Sequence, residues 1–207
     1  MTAPRPRPEA RRERASDERG GGLSLTGVDL TTEVVHTERL VLRPYRPDDA
    51  DAVFRACRDA ETQRWLLALP DPYTREAAED FVTRTSPRGR AEGRDLSCAI
   101  EADGELVGSC GLHHLDDGRR LGPEVGYWVA PWARRRGYAT EAARALADWA
   151  LQRGAQRVHL LADVRNGTSQ AVAERAGFVR EGVVRSCLSY RDGTRADAVL
   201  FGRLPGD

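Results

Sequence analysis

Lysine is absent from the 207 residues, so all 32 basic side chains are arginine. Codon usage in GC-rich coding accounts for that bias without a function. No run of 18 apolar residues occurs, which excludes a membrane-spanning helix. The opening M-T-A-P-R-P-R-P-E-A-R-R-E-R has no apolar segment and is not expected to be a secretory signal, so a cytoplasmic location is expected. Excess charge of either sign is missing too, because 32 acidic residues balance the 32 basic ones. That excludes a globally basic nucleic-acid binder and a polyacidic tail protein, and neither nucleic acid nor membrane is an expected partner. The four cysteines, Cys57, Cys98, Cys110 and Cys187, form no C-x-x-C pair. No zinc site is expected from that spacing, and the thiols read as reduced and mostly buried. The chain also lacks a Walker A sequence, G-x-G-x-x-G, H-E-x-x-H and G-x-S-x-G.

What is present divides at about residue 30. Residues 1–30 are rich in Arg, Glu, Pro and Gly, and bury too little apolar surface to offset chain entropy. They are expected to be a disordered extension whose removal changes little, with residues 31–207 forming one domain. R-L-V-L-R at 39–43 alternates as a strand does. Asp48 is the expected cap of a helix carrying Ala50, Val53, Phe54 and Cys57 on one face. A second helix follows Thr74 and stops at Ser86-Pro87, leaving 88–94 as a loop. Strands at 95–101 and 105–112 flank Asp103-Gly104, a hairpin signal. A strand at 124–130 precedes a long helix starting near Arg136 and ended by Gly154. A short apolar strand, 158–164, a short helix closed by Gly177 and two last strands around Asp192-Gly193 complete a mixed α/β domain with one central sheet.

The chemistry concentrates at Arg134-Arg135-Arg136-Gly137-Tyr138-Ala139, between a strand and a helix start. A helix N-terminus offers unpaired N–H groups and partial positive charge. Gly137 and Ala139 let backbone approach a phosphate, and the arginines add charge-assisted donors. A solvated basic helix start has the same composition. His113 and His114 are adjacent on a strand, so they face opposite sides and cannot chelate one ion; His36 and His159 are solitary. No metal is expected.

Residues 129–142, V-A-P-W-A-R-R-R-G-Y-A-T-E-A, resemble the acetyl-coenzyme-A motif of the GNAT N-acetyltransferases, Arg/Gln-x-x-Gly-x-Gly/Ala. Three collinear segments resemble the RimJ/RimL-like branch: T-E-R-L-V-L-R at 37–43, P-E-V-G-Y-W-V at 123–129, and N-G-T-S to A-G-F-V-R-E-G over 166–182. The resemblance implies helices on both faces of a mixed sheet whose central parallel strands, 124–130 and 158–164, splay apart. It implies acetyl-coenzyme A as co-substrate, its pantetheine arm pairing with the backbone of Trp128, Val129 and Ala130. Its pyrophosphate would rest on Arg134, Arg135, Arg136, Gly137, Tyr138, Ala139 and Thr140, with Asn166 as a further contact.

Acyl transfer to an amine needs a base, an oxyanion donor and, least critically, an acid for the leaving thiolate. Glu124 shares a strand face with Gly126 and Trp128 and is the expected base; a solvent-exposed strand-end glutamate is the plainer reading. The N–H of Val129 is the oxyanion donor that the resemblance implies. The superfamily's common acid tyrosine is replaced by Ala173, which leaves Ser169 and then Tyr190 as candidates. Trp65 and Tyr73 flank a loop that walls the acceptor site in the family, opposite residues 187–194; both also read as packing aromatics. The acceptor is a primary amine, on a protein N-terminus or a small molecule. A non-catalytic acyl-coenzyme-A sensor, as monomer or homodimer like the enzyme, is the other reading.

Overall fold

The computed structural model describes residues 23–116 and 121–207. Among these described residues, eight strands form one sheet in the order β1-β2-β3-β4-β5-β6-β8-β7. They are β1 (Val35–His36), β2 (Val41–Arg43), β3 (Leu96–Ala102), β4 (Glu105–His113), β5 (Glu124–Val129), β6 (Val158–Asp163), β7 (Val179–Ser189) and β8 (Arg195–Arg203). Every neighbouring pair is antiparallel except β5–β6. The β3–β4 hairpin turns through Asp103 and Gly104, both at positive φ, as the dipeptide predicts.

Helices α1 (Ala50–Cys57), α2 (Ala60–Trp65), α3 (Arg75–Asp80) and α4 (Ser86–Ala91) precede β3, while α5 (Tyr138–Gln152) and α6 (Gly167–Arg175) follow β5 and β6. Strand alternation separates two cores. Cys98, Cys110, Leu112 and Val125 pack against Ala142, Leu146 and Ala150 of α5. On the opposite side Ala99, Leu106 and Trp128 meet Val53, Cys57, Tyr73, Ala78 and Val82. The fold is the expected mixed α/β sheet with helices on both faces. All four cysteines are free thiols, and burial pushes Cys57 up to about 11.

Several local expectations change. Asp48 caps nothing; a short 3-10 turn, Pro47–Asp49, leads into α1, and Asp49 accepts the Arg46 N–H at 2.7 Å. Thr74 does cap α3, accepting from the Ala77 N–H at 3.2 Å. The helix does not stop at Pro87. A π turn over Phe81–Thr85 widens the spiral, and Pro87 then falls in the first turn of α4, where its missing N–H costs nothing. Part of the predicted 88–94 loop is therefore helix. It buries Arg90, which donates to the Leu30 carbonyl at 2.6 Å and the Ser97 carbonyl at 2.7 Å. Leu30 is itself buried, and Leu23, Leu25 and Val28 pack on the core. Residues 23–30 thus belong to the packed structure, not to an extension. The expectation for residues 1–22 lies outside the described residues.

Candidate active site

The central feature is an opening in the sheet. β5 and β6 share a single register pair, Glu124 with His159, closed by the His159 N–H donating to the Pro123 carbonyl at 2.9 Å. Past that pair the two strands diverge, as the family resemblance implies. β5 stays paired with β4 along its whole length. The Ala130 N–H donates to the Val107 carbonyl at 2.9 Å and the Ala130 carbonyl accepts from the Ala133 N–H. Alternation then turns the Trp128 groups toward β4 as well, and those of Tyr127 and Val129 toward the gap. Of the expected run Trp128 to Ala130, Val129 alone presents its backbone there. Ala130 is fully buried, its N–H bonded to Val107 and its carbonyl to Ala133.

One end of the gap is built from backbone. Gly137 stands at φ +82° immediately before α5, and Arg135 at +63°. The first helical bond is Glu141 N–H to the Gly137 carbonyl, so the N–H groups of Tyr138, Ala139 and Thr140 have no partner within the helix. A groove of about 500 Å³ beside them is lined by Gly137, Thr140, Arg39, Arg144 and Arg175, together with the carboxylates of Glu38, Glu141 and Asp148. The side chains depart from expectation. The Arg134 guanidinium is committed to Asp59 and to the Thr62 hydroxyl at 2.8 Å, tying this loop to the start of α2. Tyr138 is buried under the Arg39 guanidinium, 5.2 Å from its ring centre. Arg135 and Arg136 are exposed. Asn166 caps α6, its Oδ1 accepting the Ser169 N–H at 3.0 Å. The Ser169 Oγ lies 2.9 Å from the Tyr127 hydroxyl, so a β5 side chain and the first turn of α6 meet across the opening. Burial pushes that tyrosine above its ordinary value.

The other end is built from side chains. Glu124, Gly126 and Trp128 face the α1–α4 side. The Glu124 carboxylate lies 3.6 Å from the Nε2 of buried His159. That imidazole holds it below the usual glutamate value, against burial that would raise it. His113 is the register partner of Glu124 on β4 and points to the same face. Its Nδ1 lies 3.1 Å from the Asp95 carboxylate. A separate cleft of about 560 Å³, past the C-terminal end of β6 and beside α2, is lined by Trp65, Leu67, Arg165, Tyr190 and the 191–194 turn. Trp65 therefore walls it, its indole N–H donating to Glu61 at 2.7 Å. Tyr73 does not reach it: only 7% exposed, it fills the second core, because the Pro-rich loop folds inward. Tyr190 lines the cleft, but its hydroxyl is committed to Asp163 at 2.5 Å. Burial is the main reason it sits above its ordinary value, which disfavours it as an acid.

Residues 39–179 match the acetyltransferase (GNAT) domain. The chain belongs to the GNAT acetyltransferases. It is 30% identical over 170 residues to "Putative ribosomal N-acetyltransferase YdaF" of Bacillus subtilis, covering 81% of this chain and 92% of that one. It is 28% identical to the uncharacterized N-acetyltransferase YoaA of the same organism, covering 81% and 94%. RimJ of Mycobacterium smegmatis, solved with a coenzyme-A disulfide, superposes with a TM-score of 0.72 at 26% identity, over 83% of this chain and 87% of that one.

Within this GNAT domain the sequence reading missed three groups. Tyr127 was hidden in a core-facing strand position, and only the Ser169 contact gives it a polar role. His159 read as solitary because its partner lies on another strand. Asp95 and His113 became a pair only through the β3–β4 register. Alternation along β4 and β5 is the one sequence signal that puts His113 beside Glu124.

Proposed function

We propose that this protein transfers the acetyl group of acetyl-coenzyme A to a primary amine by direct attack in a ternary complex. The observation that carries the reading is the β5–β6 opening, which joins the unpaired N–H groups at the start of α5 to Glu124. The fit of a pyrophosphate rests on those N–H groups and on Gly137, whose positive φ aims them outward. Acetyl-coenzyme A would supply the activated thioester. The N–H of Val129, and with it that of Tyr127, lines the gap as donor for the developing oxyanion. Glu124 receives the amine proton, directly or through one water. Ser169, held by the Tyr127 hydroxyl, offers a hydrogen bond to the leaving thiolate on the opposite side of β5. The names of the relatives support a protein N-terminus as acceptor, and the open cleft beside Trp65 and Tyr190 is compatible with a peptide end.

Thiol release with a panel of amines and N-terminal peptides tests the reading. Turnover with at least one primary amine is expected. Coenzyme A binding without release for any amine would favour an acyl-coenzyme-A sensor. No thermal shift with coenzyme A would remove both.

A further inference from the structure

Glu124 is an awkward final holder for the proton of an amine. Its carboxylate is already kept ionised by neighbouring imidazole, while the ordinary amine lies near ~10. A proton taken there needs somewhere to go. Two imidazoles flank the carboxylate, one from each neighbouring strand, and they differ in kind. His159 is 6% exposed, and its Nδ1 is buried with no partner among the described residues. It has no visible route to solvent. His113 has a side chain 41% exposed, and its Nδ1 is held by Asp95 at 3.1 Å. A carboxylate on one ring nitrogen fixes the ring and stabilises the imidazolium, which makes the other nitrogen a better proton acceptor.

The backbone underneath is shaped for that ring. Gly111 of β4 and Gly126 of β5 are register partners. A Cβ on either would come within 3.3 Å of His113 Nε2. The Nε2 end of the imidazole therefore lies over two bare backbones, two residues along the register from the His113–Glu124 pair. Any larger residue at 111 or 126 would push it away.

We propose that His113, held by Asp95, is the relay that accepts the amine proton from Glu124 and releases it to solvent. This rests on the acetyl-transfer reading above and assigns its proton exit. In the step, the amine nitrogen bonds to the acetyl carbon and the carbon–sulfur bond breaks, its electron pair leaving with the thiolate. The amine proton passes to the Glu124 carboxylate and on, through a bridging water, to His113 Nε2, giving an imidazolium paired with Asp95. The charged and titratable groups around the ring are Asp95 with Arg94 from the chain before β3, Glu124 from β5, His159 from β6 and His114 beside it.

The test is the pH profile of kcat/KM for His113→Gln, His159→Gln and Asp95→Asn, on an aliphatic amine and on an amine of much lower pKa. Wild type should show an inflection on a limb of kcat/KM that rises with pH. In His113→Gln that inflection should vanish, and kcat on the aliphatic amine should fall roughly 10-fold to 100-fold, with KM for acetyl-coenzyme A within about twofold. The low-pKa amine should lose less than about threefold, because it needs no base. Asp95→Asn, which frees the ring, should lower kcat on the aliphatic amine in the same direction as His113→Gln and by less. An inflection that survives His113→Gln, or that disappears only in His159→Gln, overturns the relay while leaving acetyl transfer standing. A wild type that turns over no amine overturns the reading beneath it, and the relay with it.

Discussion

The two ends of the β5–β6 opening are made of different material. At the α5 end the useful groups are main-chain N–H donors, fixed by one glycine in the left-handed region and by helix geometry. At the Glu124 end they are side chains: Asp95, His113, Glu124 and His159, delivered from four separate segments. Backbone sites tolerate side-chain change as long as the main-chain conformation holds. Side-chain clusters depend on register, so they are sensitive to substitutions of single atoms and to distant packing.

The sharpest way to separate the ends is Glu124→Gln, which keeps shape and removes charge. Turnover on a high-pKa amine is expected to fall about 10²-fold to 10⁴-fold, with coenzyme A affinity nearly intact. Loss of coenzyme A binding in isothermal titration would break the division between the ends. A drop of less than about threefold on that amine would take the base role from Glu124.

Dependence on distant packing gives the next largest effect. Arg90, buried in α4, donates to the Leu30 carbonyl and lies beside the start of β3, where Asp95 sits. A chain starting at Thr31 loses Leu30 from the core and leaves a buried cation short of an acceptor. Relative to a chain starting at Leu23, the expected cost is at least about 3–5 kcal/mol, from Leu30 and one broken charged hydrogen bond, with the partly buried Leu23, Leu25 and Val28 adding to it. At about 2–4 °C per kcal/mol for a domain of this size, melting should drop by roughly 10 °C. Equal melting temperatures would mean that residues 23–30 contribute no packing.

At the backbone end, Gly137→Val attacks the main chain itself. Gly137 adopts φ +82°, a conformation that a β-branched residue enters at a cost of about 1–3 kcal/mol. Coenzyme A affinity is expected to weaken by roughly 10-fold to 100-fold, since each 1.4 kcal/mol is about tenfold. A titration within twofold of wild type would remove the pyrophosphate from this loop.

The same contrast explains what the sequence discloses. Arg134 to Thr140 is contiguous, so its turn, glycine and helix start can be read together, and the Asp103-Gly104 hairpin is equally local. The gap between β5 and β6 was reachable through the family resemblance, whose motifs span both strands. The Asp95–His113 pair was not, because it depends on how two strands align. Local composition also misled. Arg88 to Arg94 looks like a solvated loop, yet Arg90 is satisfied by carbonyls from the N-terminal segment and from β3. Tyr73 follows two prolines and looks like a loop aromatic, but Cys57, Ala78 and Val82 enclose it. Leu30 sits at the end of a polar stretch, and nothing nearby marks it as core.

Arg134 crosses the boundary between the two ends and gives the smallest expected effect. It stands in the cofactor motif, but its guanidinium binds Asp59 and Thr62 at the start of α2, the helix that carries Trp65. Removing the side chain in Arg134→Ala leaves the N–H groups of α5 untouched, so coenzyme A affinity should change by less than about fivefold, much less than for Gly137→Val. The stability loss should stay near ~1 kcal/mol or below, because both partners are about a quarter to a third exposed and solvent screens the pair. Its pH dependence has a definite sign. Burial raises the Asp59 carboxyl, but Arg134 and the Thr62 amide outweigh it and hold the group below its ordinary value. The pair's contribution is therefore full above the unfolded carboxyl value of about 3.9 and is lost as pH falls through the lower folded value. The stability difference between wild type and Arg134→Ala should be constant from about pH 5 to 8 and shrink below about pH 4. A coenzyme A affinity that collapses as far as in Gly137→Val would show that the guanidinium turns to the phosphates when the cofactor binds, and the division between backbone and side-chain ends would fail at this residue.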